Sequence, residues 1–364
     1  MKTDVVRLMH PPIGLDLGDL SVKMIQLDRK GKGHVIRSFA KSSIPRKSIE
    51  NGEIQDPDAV VQAIKSVIEK GKPKKTNTRR VMCSIPETKA FLRVIDMPKM
   101  SEEEMKEAIH WEIEENIPLA IDQVYYDYEV LKSSLSQGKK NREDVLIVAV
   151  ARRVVDSFIE VVEKAGLEVM GMEIESLAQA RCLLPDAQKE GRSVLVLDIG
   201  DRRTSLLFSV GNSIAFTSST PISSQMITDA YVGHFRITQE KAEKMKIEQG
   251  IGSPVIRDPF FRASEPVLEN LYSQIQHSMD FISANLGQTR KIDEILLCGG
   301  GSNTKHLPLY LSRKTGVPVR IGDPWINVSL GKNIPPISRQ EAIQYSTAIG
   351  LALQSLYFAY EDIS

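Results

Sequence analysis

The chain has 364 residues with 47 basic and 47 acidic side chains, net charge zero, so it can bury more than one core and carries no overall field that would select nucleic acid or anionic lipid. Cys83, Cys182 and Cys298 lie roughly a hundred residues apart with no CxxC or Cys/His spacing, the pattern of ordinary thiols in a reduced, cytosolic chain. The opening MKTDVVRLMHPP lacks the apolar run of a leader, and no stretch approaches the ~18 uncharged apolar residues of a span, so the expectation is a chain neither exported nor membrane-spanning.

In chain order, IGLDLGDLSVKMIQL, residues 13–27, runs from an apolar strand through Asp16-Leu17-Gly18 into a second strand, and Arg29-Lys30-Gly31-Lys32-Gly33 turns into a third, His34 to Phe39. Residues 58–70 place Val60, Val61, Ile64, Val67 and Ile68 at helical spacing after Asp56-Pro57. The basic GKPKKTNTRR is a solvated loop, and VMCSIP, 81–86, returns to strand. FLRVIDMP is a strand closed by Pro98. Ser101 and Glu104 form a capping box that opens a helix running to Pro118. Seven acids lie between Glu102 and Glu115 with one lysine; acids in a first turn complement the helix dipole, and the same face also suits a basic partner. VYYDYEVL, the polar SSLSQGKKNRE, the strand DVLIVAVA and a helix from Val154 to Lys164 ended by Gly166 complete a compact α+β inset.

Glu168 to Ile174 is a returning strand and Glu175 to Leu184 a helix. SVLVLDIGDRRTSLLFSV, residues 193–210, then repeats the opening pattern: a strand apolar on both faces, Asp198-Ile199-Gly200, and a second strand leading through Gly211-Asn212 to Ile214–Thr217. Two copies half a chain apart are too few for a solenoid and imply two related domains across a cleft. Helices follow at 223–235 and 238–249, an irregular connection at 250–264, and the longest helix from Pro266 to Leu286. KIDEILLCGGGSNTKHLP gives a buried strand, three glycines and a helix start, VPVRIGDP a last strand, and 339–360 a final helix containing Ala348 and Gly350. Glycine inside a helix costs about 1 kcal/mol against alanine and is tolerated where a neighbouring backbone or ligand needs room.

The constellation with chemical content is two Asp-x-Gly hairpins plus one strand-Gly-Gly-Gly-helix unit. Amides in tight glycine turns and at helix starts cradle anions, and carboxylates at strand ends hold a hydrated Mg²⁺. Lys23, five residues past Gly18, adds a point charge for phosphate. Each piece alone is weak, since Asp-x-Gly also ends ordinary strands and Gly299-Gly300-Gly301 also fits a flexible turn. Together they describe a nucleotide cleft. No GxSxG, HExxH or Walker GxxxxGK[ST] occurs, and the six histidines are scattered singly.

IGLDLGDLSVK, IESLAQAR, LVLDIGDRRTSLLF, ILLCGGGSNTKHLP and STAIGLAL resemble the phosphate 1, connect 1, phosphate 2, adenosine and connect 2 motifs of the actin-like ATPase superfamily, with Hsp70, sugar kinases, MreB and FtsA. LRVIDMPKMSEEEMKEAIHWEIEENIPL with YYDYEVL and DVLIVAVA resembles the PilM family of type IV pilus assembly over nearly the whole chain. The resemblance implies an α/β, actin-like (ribonuclease H-like) two-domain fold with an FtsA-type α+β inset. Residues 1–88, 164–190 and 339–364 then form domain 1A, 89–163 the inset 1C, and 191–338 domain 2A with a 2B insertion at about 222–287. It implies ATP or ADP with Mg²⁺ held through water by Asp16 and Asp198. Asp16, Gly18 and Lys23 match phosphate 1; Asp198, Gly200 and Thr204 fall in phosphate 2; Gly299, Gly300 and Gly301 match the adenosine motif. KAEKMKIEQG is similar to the MreB stretch whose Glu and Lys approach the nucleoside, which makes Glu243 and Lys246 candidates, although they also fit an ordinary charged helix face. The implied partner is the N-terminal cytoplasmic tail of a single-pass inner-membrane protein, PilN in that family, with other pilus components. The implied location is cytoplasmic, peripheral to the inner membrane through that partner, with no nucleic acid and no direct insertion.

Two departures bear on activity. Phosphate 1 continues Asp19-Leu20 in place of small hydroxyl residues, and phosphate 2 continues Asp201-Arg202-Arg203-Thr204 in place of Gly-x-Gly-Thr. Arg202 or Arg203 can pair with a phosphate, whereas Asp201 repels one, so the expectation is binding with little turnover. A phosphotransferase of the same fold requires an intact second glycine loop. An FtsA-type division protein is expected to continue past its last core helix into a linker and amphipathic helix, whereas this sequence stops at Tyr357-Phe358-Ala359-Tyr360-Glu361-Asp362-Ile363-Ser364.

Overall fold

A computed structural model describes residues 10–30, 33–131, 141–185, 191–211, 213–285, 291–330 and 334–361. The expected turns at Gly31-Lys32 and Asn212 and most of the polar loop at 133–143 lie outside these residues. The chain divides into two compact units, unit 1 at 1–187 and 324–364 and unit 2 at 188–323.

Unit 1 is built on a six-stranded sheet. β1 (Ile13–Leu17), β2 (Ser21–Lys30) and β3 (Gly33–Ser43) form the opening meander, extended by the two-residue β6 (Lys72–Pro73). β7 (Arg80–Ile85) and β11 (Glu168–Ile174) add parallel to β1, so the order is β11-β7-β1-β2-β3-β6. A small hairpin, β4 (Ile49–Glu50) with β5 (Glu53–Ile54), precedes α1 (Pro57–Glu69), which Asp56 caps through Ala59 N at 3.0 Å. α1 buries Val60, Val61, Ile64 and Val67 against the sheet, each contributing roughly 1.5–3 kcal/mol on full burial.

The inset is a three-stranded sheet, β8 (Ala90–Pro98), β9 (Val124–Val130) and β10 (Arg142–Ala151) in the order β8-β10-β9. It is covered by α2 (Glu102–Asn116), where Ser101 and Glu104 make the expected reciprocal capping box. Met105, Ile109 and Ile113 of α2 close a separate small core with Met97, Val124, Val145 and Ile147. The next helix, α3 (Arg152–Lys164), behaves differently from the expectation that it completes the inset. Val154, Phe158, Val161 and Val162 bury in the main core beside α1, because its five-position apolar face outmatches anything the three-stranded sheet has left to cover.

α4 (Glu175–Leu183) and the last helical stretch complete unit 1. That stretch is broken: α9 (Arg339–Ala342), a 3₁₀ turn at Ile343–Tyr345, then α10 (Ser346–Glu361). At Gly350 an added Cβ would sit 1.8 Å from Ala178 O, and at Gly14 one would sit 2.1 Å from Ala348 O. The two glycines let α10 lie backbone to backbone against α4 on one side and β1 on the other, which is the reason for a glycine inside this helix.

Unit 2 repeats the pattern. β12 (Ser193–Ile199), β13 (Thr204–Val210) and β14 (Ser213–Thr220) form an antiparallel meander, and β15 (Glu294–Cys298) and β16 (Val319–Ile321) add in parallel. In both units a central strand has a hairpin partner on one side and a parallel neighbour on the other, and both meanders carry a register shift, at Gln26/Leu27 and Phe208/Ser209. α5 (Ser224–Phe235), α6 (Gln239–Gln249) and α7 (Pro259–Asn285) lie between β14 and β15, and α8 (Leu307–Thr315) precedes β16. α7 starts seven residues before the expected Pro266. Asp258 accepts from Phe261 N at 2.9 Å and Ser253 N at 2.7 Å, and Pro259 takes the first helical position, where a missing N–H costs nothing. Pro266 is accommodated inside the helix. None of the described helices is long and apolar enough to cross a membrane.

Candidate functional site

The chemistry-bearing residues gather at the carboxyl ends of the central strands, one set per unit. In unit 1, Asp16 occupies the second-last position of β1, 4% exposed, directly across from Lys23 on β2. The Lys23 ammonium donates to Asp16 Oδ2 at 2.9 Å and the Ser84 hydroxyl to Oδ1 at 3.4 Å, while Leu17 N donates to Ser84 Oγ at 2.9 Å. The carboxylate is thereby held by a cation and a hydroxyl from the two flanking strands. Gly18 N donates to Ser21 O at 3.1 Å and closes the turn, and an added Cβ there meets Ser21 O at 3.5 Å, ordinary contact. Glycine at 18 is therefore tolerated by this turn without being forced by packing. Lys23, expected as a free point charge for phosphate, is paired with Asp16, so a phosphate must compete for it.

In unit 2 the two glycine turns are packed against each other. β12 and β15 are parallel, with Asp198 across from Cys298, so their carboxyl ends emerge side by side. Gly299 has φ 77° and ψ 174°, and an added Cβ would lie 2.0 Å from Asp198 Oδ1 and 2.8 Å from Ile199 O. At Gly301 it would meet Ile199 Cγ2 at 2.5 Å and Ser224 Cβ at 2.9 Å. Gly300, exposed between them, opens a 3₁₀ turn. Gly200 N donates to Arg203 O at 2.9 Å, which folds Asp201-Arg202-Arg203 into a tight turn.

Ser224 at the start of α5 ties these pieces together. Its N–H donates to Gly200 O at 3.0 Å, its hydroxyl to Asp201 Oδ1 at 3.2 Å, and its carbonyl accepts from Lys246 Nζ at 3.3 Å. Lys246, 7% exposed, also pairs with Glu243 at 2.8 Å, and Glu243 accepts from Thr228 at 2.6 Å. The structure thus brings Glu243 and Lys246 of α6 to the same end of unit 2 as Asp198, Gly200 and Gly299–Gly301. Thr204 differs: it is fully buried and its hydroxyl donates to Ile222 O at 2.8 Å, pinning β13 to the entry of α5 instead of presenting an oxygen outward.

Three residues of these sets escape a reading of motifs alone. Ser84 is a polar residue in the otherwise apolar VMCSIP strand, and that interruption was its only signal. Ser224 carries no spacing that distinguishes it from Ser223. Glu175, at the end of β11 where α4 begins, accepts from Glu87 N at 3.3 Å; an acid opening a helix reads equally as dipole complementation.

Among the described residues no group of three or more His, Cys, Asp or Glu side chains is placed to hold a metal ion. Asp16 ends a strand of unit 1 and Asp198 a strand of unit 2, and a single strand-end carboxylate suits a cation held mainly by water and phosphate and not a protein cage.

A family profile described as Type IV pilus assembly protein PilM matches residues 14–356. A solved PilM-PilN type IV pilus biogenesis complex superposes with a TM-score of 0.81 at 26% identity, over 96% of this chain and 99% of that one. MreB5 of Spiroplasma citri bound to ADP superposes with a TM-score of 0.53 at 14% identity, over 98% and 99%, a likeness of fold. The cell division protein FtsA is similar in sequence: that of Neisseria meningitidis is 24% identical over 84% of this chain and 81% of its own length. For FtsA of Borreliella burgdorferi the figures are 24% identity over 54% of this chain, which spans about half, 51%, of that relative.

Proposed function

This chain belongs to the PilM family of type IV pilus assembly proteins, and from that membership we propose that it is a nucleotide-binding scaffold that captures the cytoplasmic tail of a PilN-like inner-membrane protein. The observation that carries the nucleotide part is the close packing of Gly299 and Gly301 on the Asp198-Ile199-Gly200 step. A backbone this tightly turned beside a helix start has the form of an anion cradle. In unit 1, Asp16 with Lys23 offers a carboxylate and a cation, and in unit 2 Glu243 with Lys246 offers polar groups for the nucleoside. Mg²⁺, when bound with ATP or ADP, neutralises phosphate charge; Asp16 and Asp198 would hold it through water. The Asp201-Arg202-Arg203 turn adds bulk and a carboxylate where a wrapped terminal phosphate needs neither, so binding with little turnover is the expected activity.

Calorimetry with Mg²⁺-ATP and Mg²⁺-ADP tests this part. Binding heat is expected for the wild type, with affinity at least about tenfold weaker, about 1.4 kcal/mol, for Asp198→Ala. The absence of heat with both nucleotides overturns it. For the partner, a labelled peptide of the PilN-like tail is expected to bind the purified chain, and strand-edge or groove capture at the inset is the mode. Replacing Phe91–Ala149 with a short glycine linker is feasible because Ala90 and Val150 are paired neighbours, and it leaves Val150 and α3 in the main core. This variant is expected to lose the peptide and keep the nucleotide; undiminished peptide binding refutes the assignment. A location in the cytoplasm at the inner membrane follows from that tether.

A further inference from the structure

We propose that the outward face of α2 docks the basic 72–79 segment of a second copy of this chain, so that copies associate head to tail. The helix buries Met105, Ile109 and Ile113 on one side. Directly opposite, at helical spacing, stand Glu103, Glu107, Trp111 and Glu115. Trp111 is 69% exposed, at the outer pole of a helix whose inner face already satisfies the inset core. It is not among the side chains of the inset core.

The acids around it are not equivalent. Glu102 is paired with Lys106, Glu104 is committed to the capping box, and Glu114 lies 3.2 Å from His110. Glu103, Glu107 and Glu115 have no cationic partner among the described residues. Glu107 and Glu115 sit one turn before and one turn after Trp111. An indole face bracketed by carboxylates is a seat for a lysine or arginine, which stacks on the ring while its charge is met on both sides.

The complementary surface is on the same chain. Residues 72–79 carry four cations in eight positions, Lys72, Lys74, Lys75 and Arg79, all exposed. Lys72 lies over the Phe39 ring, whereas Lys74, Lys75 and Arg79 have no carboxylate partner among the described residues. The backbone beneath them is fixed: Lys74 N donates to Arg37 O at 3.2 Å, Arg37 Nε to Lys75 O at 3.2 Å, and Asn77 accepts from Gln26 at 2.6 Å. The cations are thus displayed on an ordered platform, which lowers the entropy lost on docking.

The two patches lie beyond opposite ends of one strand. The basic segment leads into β7 at Arg80, and the inset that carries α2 begins five residues after β7 ends at Ile85. That strand is about 20 Å long and separates the two patches along the chain, so the partner proposed for each is the complementary patch of a successive copy. Because the chain is neutral overall, no net repulsion opposes association. The contact is heterologous, so each added copy offers a free patch to the next, which builds an open filament or, where the rotation closes, a ring.

Sedimentation velocity of the full chain at about 0.1 M and about 1 M salt, where screening lengths are about 10 Å and 3 Å, tests the proposal. Concentration-dependent association is expected at low salt and its loss at high salt. Glu107→Lys with Glu115→Lys in one variant, and Lys74→Glu with Lys75→Glu in another, change only exposed side chains. Each alone is expected to weaken self-association at least about tenfold. Mixed at equal amounts, the two variants match at both contacts, reversed α2 face with reversed segment and unchanged α2 face with unchanged segment, and are expected to recover association with the two variants alternating. The four changes combined in one chain restore self-association. A wild type that stays monomeric at low salt overturns the proposal, as does unchanged association of either variant or a mixture that fails to pair.

Discussion

Gly299→Ala offers a quantitative test of the glycine turn in unit 2. At φ 77° and ψ 174° the backbone lies where only glycine is comfortable, which costs another residue about 1–3 kcal/mol. The new Cβ would also meet Asp198 Oδ1 at 2.0 Å, Ile199 O at 2.8 Å and Ile199 C at 3.1 Å. The carboxylate can swing aside, but the Ile199 carbonyl belongs to the central strand and cannot, so overpacking adds about 1–3 kcal/mol. The expected total is about 4 kcal/mol. Gly316→Ala is the control: φ is 70° and ψ 7° at the end of α8, and nothing lies within 4 Å of its Cβ. Only the left-handed conformation is charged there, about 1–2 kcal/mol. Urea unfolding followed by circular dichroism measures both, and a difference of at least about 1 kcal/mol between them is expected. Asp198→Ala combined with Gly299→Ala should cost less than the sum of the single changes, because the nearest clashing atoms are gone, with a coupling above about 0.5 kcal/mol. Equal losses for Gly299→Ala and Gly316→Ala, or strict additivity in the cycle, refute the packing argument.

Gly350→Ala would raise helix propensity by up to about 1 kcal/mol, yet its Cβ falls 1.8 Å from Ala178 O; a net loss of about 3 kcal/mol in chemical denaturation is expected, and a neutral or stabilised variant refutes the close crossing. Lys246→Met leaves the Ser224 carbonyl and Glu243 without their cation; because Glu243 is half-exposed the expected cost is about 1–2 kcal/mol, and a loss below about 0.3 kcal/mol contradicts the role given to Lys246. His34 has its pKa lowered by burial, then by Arg29, so its neutral ring is favoured in the folded chain. Stability from this site is full above the ordinary histidine range and falls as pH drops through it. Urea midpoints compared at pH about 7.5 and about 5.5 should converge in His34→Gln, and an unchanged pH dependence refutes the assignment.

The paired Asp-x-Gly hairpins were legible because a doubly buried strand, a carboxylate and a glycine are each local signals, and the two-unit sheet pattern follows from their repetition. The capping box at Ser101 and Glu104 was equally local. What escaped depended on competition between distant surfaces. The assignment of α3 to the main core was decided by which apolar face had more area to cover, and its own sequence is compatible with both. The start of α7 was ambiguous because two prolines, Pro259 and Pro266, each satisfy the rule for a helix start, and the Asp258 side chain decides between them. The final helix breaks at Ile343–Tyr345 although its sequence holds no proline there. In the site, glycines and acids were visible as letters, whereas Ser224 is defined only by what three neighbours do with its N–H, hydroxyl and carbonyl.

The backbone crossings at Gly14 and Gly350 also constrain the order in which the protein can form. Unit 2 is one uninterrupted segment, 188–323, whose strands pair mostly with near neighbours. Unit 1 is closed by α10, which begins more than 300 residues after the β1 strand it lies against. During synthesis at about 5–20 residues per second, the apolar surface of β1 that α10 covers therefore waits about 15 s or longer for its partner, while unit 2 can complete itself in the interval. The inserted unit matures first and the one that surrounds it last, so a nascent chain stalled before residue 346 presents a finished unit 2 beside an uncovered β1, the surface a chaperone would meet.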